Sequence, residues 1–204
     1  HPIFEPAASD PLVQAVEKAV KAGIIVVASA GNHGVAENGD LGYGGVTSPG
    51  NAPSALTVGA SNHNSTANRQ DDRMAPYSSN GPTWYDGLAK PDVVAPGHFL
   101  ASEASPTSAL FTTYTTLRQK GQSGRDFMRL SGTSMSAGVV TGVVALLEQA
   151  TSRALTANLA KGVLQFTAIP MKDDNGQVYG PLRQGSGQIN ALGALTLLGA
   201  INPT

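Results

Sequence analysis

With 204 residues, a formal net charge of −1 and no cysteine, the chain can bury a sizeable core but offers neither a disulfide framework nor a thiol site. The near-neutral balance lacks the basic footprint of nucleic-acid binders, and no apolar run approaches the roughly 20 residues that cross a bilayer, so neither nucleic acid nor membrane is expected as a partner. Apolar residues at 41 % together with 24 glycines point instead to an α/β protein with tight turns.

Residues 1–9 read as a loop. Asp10 is placed to cap a helix and Pro11 suits its first turn. Leu12, Ala15, Val16, Ala19 and Val20 follow at helical spacing, and Gly23 ends the run. Residues 24–29 form a short continuous apolar stretch, which predicts a strand buried on both faces of a parallel sheet. Helix then strand is half of a βαβ unit, and its first strand would lie ahead of His1. The strand ends in Ala30-Gly31-Asn32-His33-Gly34. Ligands bind beyond the carboxyl ends of such strands, and an Asn there can offer its amide NH2 to developing negative charge. Taken alone, Asn-x-Gly is also ordinary loop chemistry.

Residues 38–53 are rich in Gly and Pro and predict a loop. Gly42-Tyr43-Gly44-Gly45 within it follows no strand and opens no helix, so it is not a phosphate loop. A short strand is predicted at 56–60, a polar surface loop at 61–74, another buried strand within 91–96, and an exposed excursion at 107–126. Next comes Leu130-Ser131-Gly132-Thr133-Ser134-Met135-Ser136-Ala137-Gly138, a turn of small residues and hydroxyls. Residues 139–147 after it are apolar nearly all round, which predicts a buried helix. Gly138 and Gly142 each cost about 1 kcal/mol there relative to alanine, which implies close approach of another backbone. Ser134 therefore sits at a helix mouth, where free N–H groups and the dipole favour negative charge. That place suits a nucleophile and equally suits a simple helix cap. Thr156 is predicted to cap a helix through 164, Asp173-Asp174-Asn175-Gly176 to turn a hairpin, and 189–198 to form a last helix. No repeat or interdomain linker interrupts the chain.

Two stretches are more specific together than apart. Gly132-Thr133-Ser134-Met135-Ser136-Ala137, and Ala30-Gly31-Asn32 after a valine-rich run, resemble the serine and oxyanion-asparagine motifs of the subtilisin-like serine peptidases. Further blocks match in the family's order: Ser54-Ala55-Leu56-Thr57-Val58-Gly59-Ala60, Tyr77-Ser78-Ser79-Asn80-Gly81-Pro82, Lys90-Pro91-Asp92-Val93-Val94-Ala95-Pro96-Gly97, and Arg183-Gln184-Gly185-Ser186-Gly187-Gln188-Ile189-Asn190. One departure is Gly138, where proline is usual, which leaves the helix start less rigid.

The resemblance implies a three-layer α/β fold with a mostly parallel sheet, its N-terminal part absent from this chain, so that 1–204 is the C-terminal portion of one catalytic domain. It implies hydrolysis of polypeptide substrates outside the cell, with Ser134 as nucleophile and Asn32 in the oxyanion hole. Ser29, Ala30, Gly31 and Thr133 would bind the substrate. No cofactor is required for that chemistry, and a structural calcium ion is compatible with the family, with Asp92 and the loop near Gly50 as its neighbours. The family's Gly-His-Gly-Thr and Asp-Thr-Gly or Asp-Ser-Gly motifs do not occur here, so the base and its orienting acid are expected upstream. An upstream fragment is then an expected partner, with self-association as the other way to cover the exposed surface. Two further readings stay open: a hydrolase of small esters or amides with an improvised base, His33 being the nearest, and a non-catalytic peptide-binding fragment. His1, His63 and His98 read as terminal, solvated and turn-forming residues, and no His pair has metal-ligand spacing on a helix.

Overall fold

A computed structural model describes residues 4–121, 124–151 and 154–201. Helix α1 (Pro11–Lys21) starts as its sequence dictates: the Asp10 side chain accepts from the N–H groups of Leu12 and Val13 at 2.8 and 3.3 Å. It buries Val13 and Val16 against Ala28, Ala52 and Ala55. Strands β1 (Val27–Ser29), β2 (Leu56–Asn62) and β4 (Val93–Pro96) are parallel, with β2 in the middle. The short β3 (Arg73–Met74) pairs antiparallel with the end of β2.

Alternation along the strands sorts the two faces. Leu56, Val58, Val93 and Ala95 pack on helices α3 (Thr133–Ala150), α4 (Ala157–Thr167) and α6 (Ala191–Ile201). Ala28 faces α1, and Val94 meets Met74 and Met171. The result is a helix–sheet–helix sandwich with mainly parallel pairing. The Thr156 side chain caps α4 by accepting from Leu159 N at 3.2 Å, as its sequence predicts. Asn190 does the same for α6 through Gly193 N at 3.1 Å. Asp173 N donates to Gln177 O at 2.9 Å, closing the predicted hairpin turn beside the Lys172–Val178 bridge. A further short helix, α5 (Pro181–Gln184), was not legible in the sequence.

Three sequence expectations need correction. The strand predicted at 24–29 begins only at Val27, and Ile24 is 57 % exposed. Strand β1 hydrogen-bonds β2 on one edge, and its other edge has no partner among the described residues, so apolar character there does not bring burial. Helix α3 is not buried all round. It sinks Val140, Val143, Val144 and Leu147 into the core, while Gly138, Thr141, Gly142, Ala145 and Leu146 face outward. Nothing among the described residues lies within 4 Å of a side chain added at Gly138 or Gly142, so no close backbone approach explains these glycines. Finally, the excursion at 107–126 is exposed as expected, but its described residues carry secondary structure that the sequence did not reveal. It carries α2 (Ala109–Thr113) and β6 (Arg118–Lys120), and β6 joins β5 (Leu100–Glu103) and β7 (Asp126–Leu130) in an antiparallel sheet of order β5–β7–β6. Its strands are mostly exposed, so the sequence shows no apolar alternation to mark them.

Candidate active site

Ser134 is the second residue of α3, and its position is fixed by the end of β4. Gly97, just past that strand, receives the Gly132 N–H at 2.8 Å and donates its own N–H to Ser61 O at 2.9 Å. Ser136 Oγ, one turn into α3, donates to Ala95 O at 2.9 Å. A side chain on Gly97 would strike Ser136 Oγ and sit 2.8 Å from Gly132 O, so only glycine lets the strand end touch the helix start. Tyr77 OH donates to Gly97 O at 3.1 Å, and Phe99 N donates to Ser131 Oγ at 3.0 Å. Burial pushes the Tyr77 phenol up, which keeps it a donor at neutral pH. The Pro-Gly that ends β4 and the Ser-Gly-Thr-Ser turn thus form one clamp, built from segments about 35 residues apart in sequence.

Asn32 reaches the same place from β1. Gly132, the residue before α3, has no side chain to cap the helix, and Asn32 does so from across the chain. Its Oδ1 accepts from Thr133 N at 3.0 Å and from Thr133 Oγ1 at 3.2 Å. Thr133 Oγ1 in turn accepts from Gly31 N at 3.1 Å. Thr133 is fully buried, whereas Asn32 and Ser134 are exposed. With Oδ1 committed inward, the amide Nδ2 is the end of Asn32 left for the cleft. Of the first-turn N–H groups of α3, that of Thr133 is taken by Asn32 and that of Met135 by Gly132 O at 3.0 Å, which leaves the Ser134 N–H as the backbone donor at the helix start. A hydroxyl, a side-chain amide and a backbone N–H therefore belong to exposed residues at one helix start, and such donors are of the type that stabilises an oxyanion.

Ser29 closes β1 and is half-buried, and Ala30 is fully buried between Val58 O and Thr47 N. Both backbone polar groups of Ala30 are thus engaged, and Thr133 is equally buried, so these two of the expected substrate-binding residues shape the cleft from beneath and do not face a substrate. Gly31 takes φ +106° and sits against Ser79 and Thr47, so no other residue fits there. His33 donates its backbone N–H to Ser79 Oγ at 3.0 Å and turns its ring edge-on to Phe4, 6.2 Å between centroids. It walls a pocket that also involves Tyr43, Trp84 and Tyr85. These aromatic walls were missed in the sequence because they come from three separate segments. His98 meets Phe99 edge-on and lies tilted beside Tyr77, with centroids 4.4 and 5.9 Å away. His63 Nδ1 accepts from Ser65 N within a polar turn, and His1 lies outside the described residues.

Asp92 does not suit a cation. Its Oδ2 accepts from Lys90 Nζ at 2.8 Å and from Thr57 N at 2.7 Å, and its Oδ1 lies 2.9 Å from Lys161 Nζ. Both lysines also donate to Ala55 O. Two ammonium groups already neutralise this carboxylate, and the carbonyl of Gly50 is taken by Thr57 Oγ1. Among the described residues no group of three or more His, Cys, Asp or Glu could hold a metal ion.

The family model described as the Subtilase family, peptidase S8, matches residues 5–187. The chain belongs to the subtilase family. This subtilase is 37 % identical over 182 residues to serine protease AprX of Bacillus subtilis, covering 89 % of this chain and 37 % of AprX. It is 35 % identical over 222 residues to pyrolysin of Pyrococcus furiosus, covering 96 % of this chain and 14 % of that protein. The chain thus spans well under half the length of either relative. Among solved structures, the PatG macrocyclase in complex with peptide superposes with a TM-score of 0.64 at 26 % identity, over 97 % of this subtilase and 50 % of that chain. The patellamide maturation protease PatA gives 0.67 at 23 % identity, over 97 % and 60 %, and supports the fold.

Proposed function

We propose that this subtilase chain is the C-terminal part of a serine endopeptidase catalytic domain that cleaves polypeptides through an acyl-enzyme on Ser134. The observation that carries the reading is the Asn32–Thr133 lock. It ties the loop after β1 to the first turn of α3 and leaves an amide donor and the Ser134 hydroxyl exposed together. In this reading Asn32 Nδ2 and the Ser134 backbone N–H form the oxyanion hole. Ser29 and Gly31 bind the substrate next to the scissile bond, with the buried Ala30 and Thr133 supporting them from beneath. The base and acid come from sequence ahead of His1. The improvised-base reading is less well supported, because the His33 ring faces Phe4.

Replacing Asn32 by alanine in the assembled enzyme tests the oxyanion role. Removal of one such donor lowers turnover by about a hundred- to a thousand-fold, a figure established on subtilisin itself. Steady-state kinetics on a peptide substrate should show that loss in kcat with KM little changed. A normal kcat would overturn the assignment.

The open edge of β1 and the outward face of α3, with Leu146 48 % exposed, support a second element of the proposal. An upstream segment carrying His and Asp covers that surface, and without it two copies of the chain meet there. Light scattering on residues 1–204 should report an assembly that becomes a one-to-one complex when the upstream segment is added, with peptide hydrolysis appearing at the same time. A lone monomer with strong hydrolysis that depends on Ser134 would refute this. One relative, 28 % identical, is named the minor extracellular protease Vpr of Bacillus subtilis, and an extracellular setting is part of the proposal.

A further inference from the structure

The pocket beside Asn32 has a composition that the chemistry of Ser134 does not require. It encloses about 540 Å³ and begins at His33, the residue after the oxyanion asparagine. Its walls include Phe4, Tyr43, Trp84 and Tyr85, and the last three are exposed to 54, 68 and 58 %. Trp84 lies on the backbone of Gly44, at φ +72°, where a Cβ would come within 2.6 Å of the indole. Glycine at that position lets the ring settle flat against the loop. Glu37 is the carboxylate in the lining, and no lysine or arginine contributes to it among the described residues. The segments that supply the walls, 4–5, 33–45 and 84–86, also carry Glu5, Asp40 and Asp86 and again no lysine or arginine.

Aromatic faces attract cations, tryptophan most strongly, and nearby carboxylates add to that field. We infer that this pocket is a specificity subsite for a lysine or arginine side chain of the polypeptide substrate, held by Trp84, Tyr43 and Tyr85 with Glu37 near its charge. The aliphatic stem of such a side chain lies along Phe4 and the tyrosines while its charged end stays partly hydrated. The inference rests on the protease reading for its consequence but not for its test.

Trp84 is the single tryptophan of the chain, so its fluorescence reports on the pocket directly. The experiment uses the full protein with Ser134→Ala, titrated with N-acetyl-arginine amide, N-acetyl-lysine amide, the neutral N-acetyl-norleucine amide and N-acetyl-phenylalanine amide. Saturable changes are expected for the two cationic amides, with affinity about tenfold above that of norleucine and lowered about as much by Glu37→Gln or by 0.5 M salt. Equal or tighter binding of the phenylalanine or norleucine amide would overturn the charge preference, and no saturable response to any of them would overturn the subsite. The protease reading fails separately: cationic binding without Ser134-dependent hydrolysis of a peptide library removes the enzyme and leaves the pocket. With the active enzyme, cleavage should favour peptides bearing lysine or arginine at one fixed distance from the scissile bond, and Trp84→Ala should flatten that preference.

Discussion

Replacing Ser134 by alanine should lower turnover on a peptide substrate by about a million-fold in the assembled enzyme, the size of the loss known for the nucleophile of subtilisin. Without Oγ no acyl-enzyme forms, and only the donors at the mouth of α3 and substrate binding remain, together worth roughly a thousand- to ten-thousand-fold over water in that same enzyme. The fold should not suffer. Ser134 is exposed, and alanine is the better helix former, so the unfolding free energy from urea titration should hold within about 0.5 kcal/mol of wild type. Single-turnover assays, together with labelling by a fluorophosphonate and mapping of the adduct, make the check. Retained turnover in the variant, or an adduct on another serine, would remove Ser134 from the mechanism.

The second large effect concerns stability. Asp92 is 5 % exposed and neutralises Lys90, which is 2 % exposed, together with Lys161. Changing Asp92 to asparagine leaves two ammonium groups facing each other under the sheet, with the Ala55 carbonyl between them. Breaking a buried pair from one side costs about 3–5 kcal/mol. The loss should appear as a lower urea midpoint with activity per folded molecule preserved, since the side chain of Asp92 bonds Lys90, Lys161 and Thr57 and not Asn32, Thr133 or Ser134.

Lys90 adds a pH signature. Burial is the main cause that lowers its pKa, to about 8 from the ordinary 10.5, against the pull of Asp92. Between about 8 and 10.5 the unfolded chain binds a proton that the folded chain does not, so the Lys90 contribution makes unfolding costlier as pH rises through that window. In Asp92→Asn the Lys90 pKa falls further, and folded Lys90 loses its proton earlier. The gap between variant and wild type should therefore narrow as pH is raised from 6 towards 8. A gap that widens with pH, or a variant as stable as wild type at pH 6, would show that the cluster is not held by charge.

Much of the local structure was legible because its causes are local. Asp10 before Pro11 and Thr156 before α4 each satisfy first-turn N–H groups with their own side chains, and no tertiary information is needed to see it. The hairpin turn at Asp173–Gly176 follows from the same kind of rule. The family was legible for another reason: Ala30-Gly31-Asn32 and Gly132-Thr133-Ser134 are short motifs whose residue types serve backbone contacts that tolerate few alternatives. Gly97 and Gly31 illustrate this, since a Cβ at either position would strike a neighbour.

What the sequence by itself determined, then, was which turns, caps and motifs form. Burial was decided by the tertiary structure. Residues 139–147 are apolar nearly all round, yet one face of α3 packs on the sheet while Leu146 and its neighbours face outward, because apolar character creates a demand for cover without naming the element that meets it. Strand β1 shows the same gap between an apolar run and its pairing partners. The polar strands β5, β6 and β7 show the converse: backbone hydrogen bonds between them need no apolar periodicity. The candidate site is divided in the same way. The residue types at Asn32, Thr133 and Ser134 are written in the chain, but the hydrogen bonds that turn Asn32 Oδ1 inward join residues 101 positions apart. Only the folded sheet, by holding the ends of β1 and β4 on either side of β2 at the start of α3, puts those groups within reach of one another.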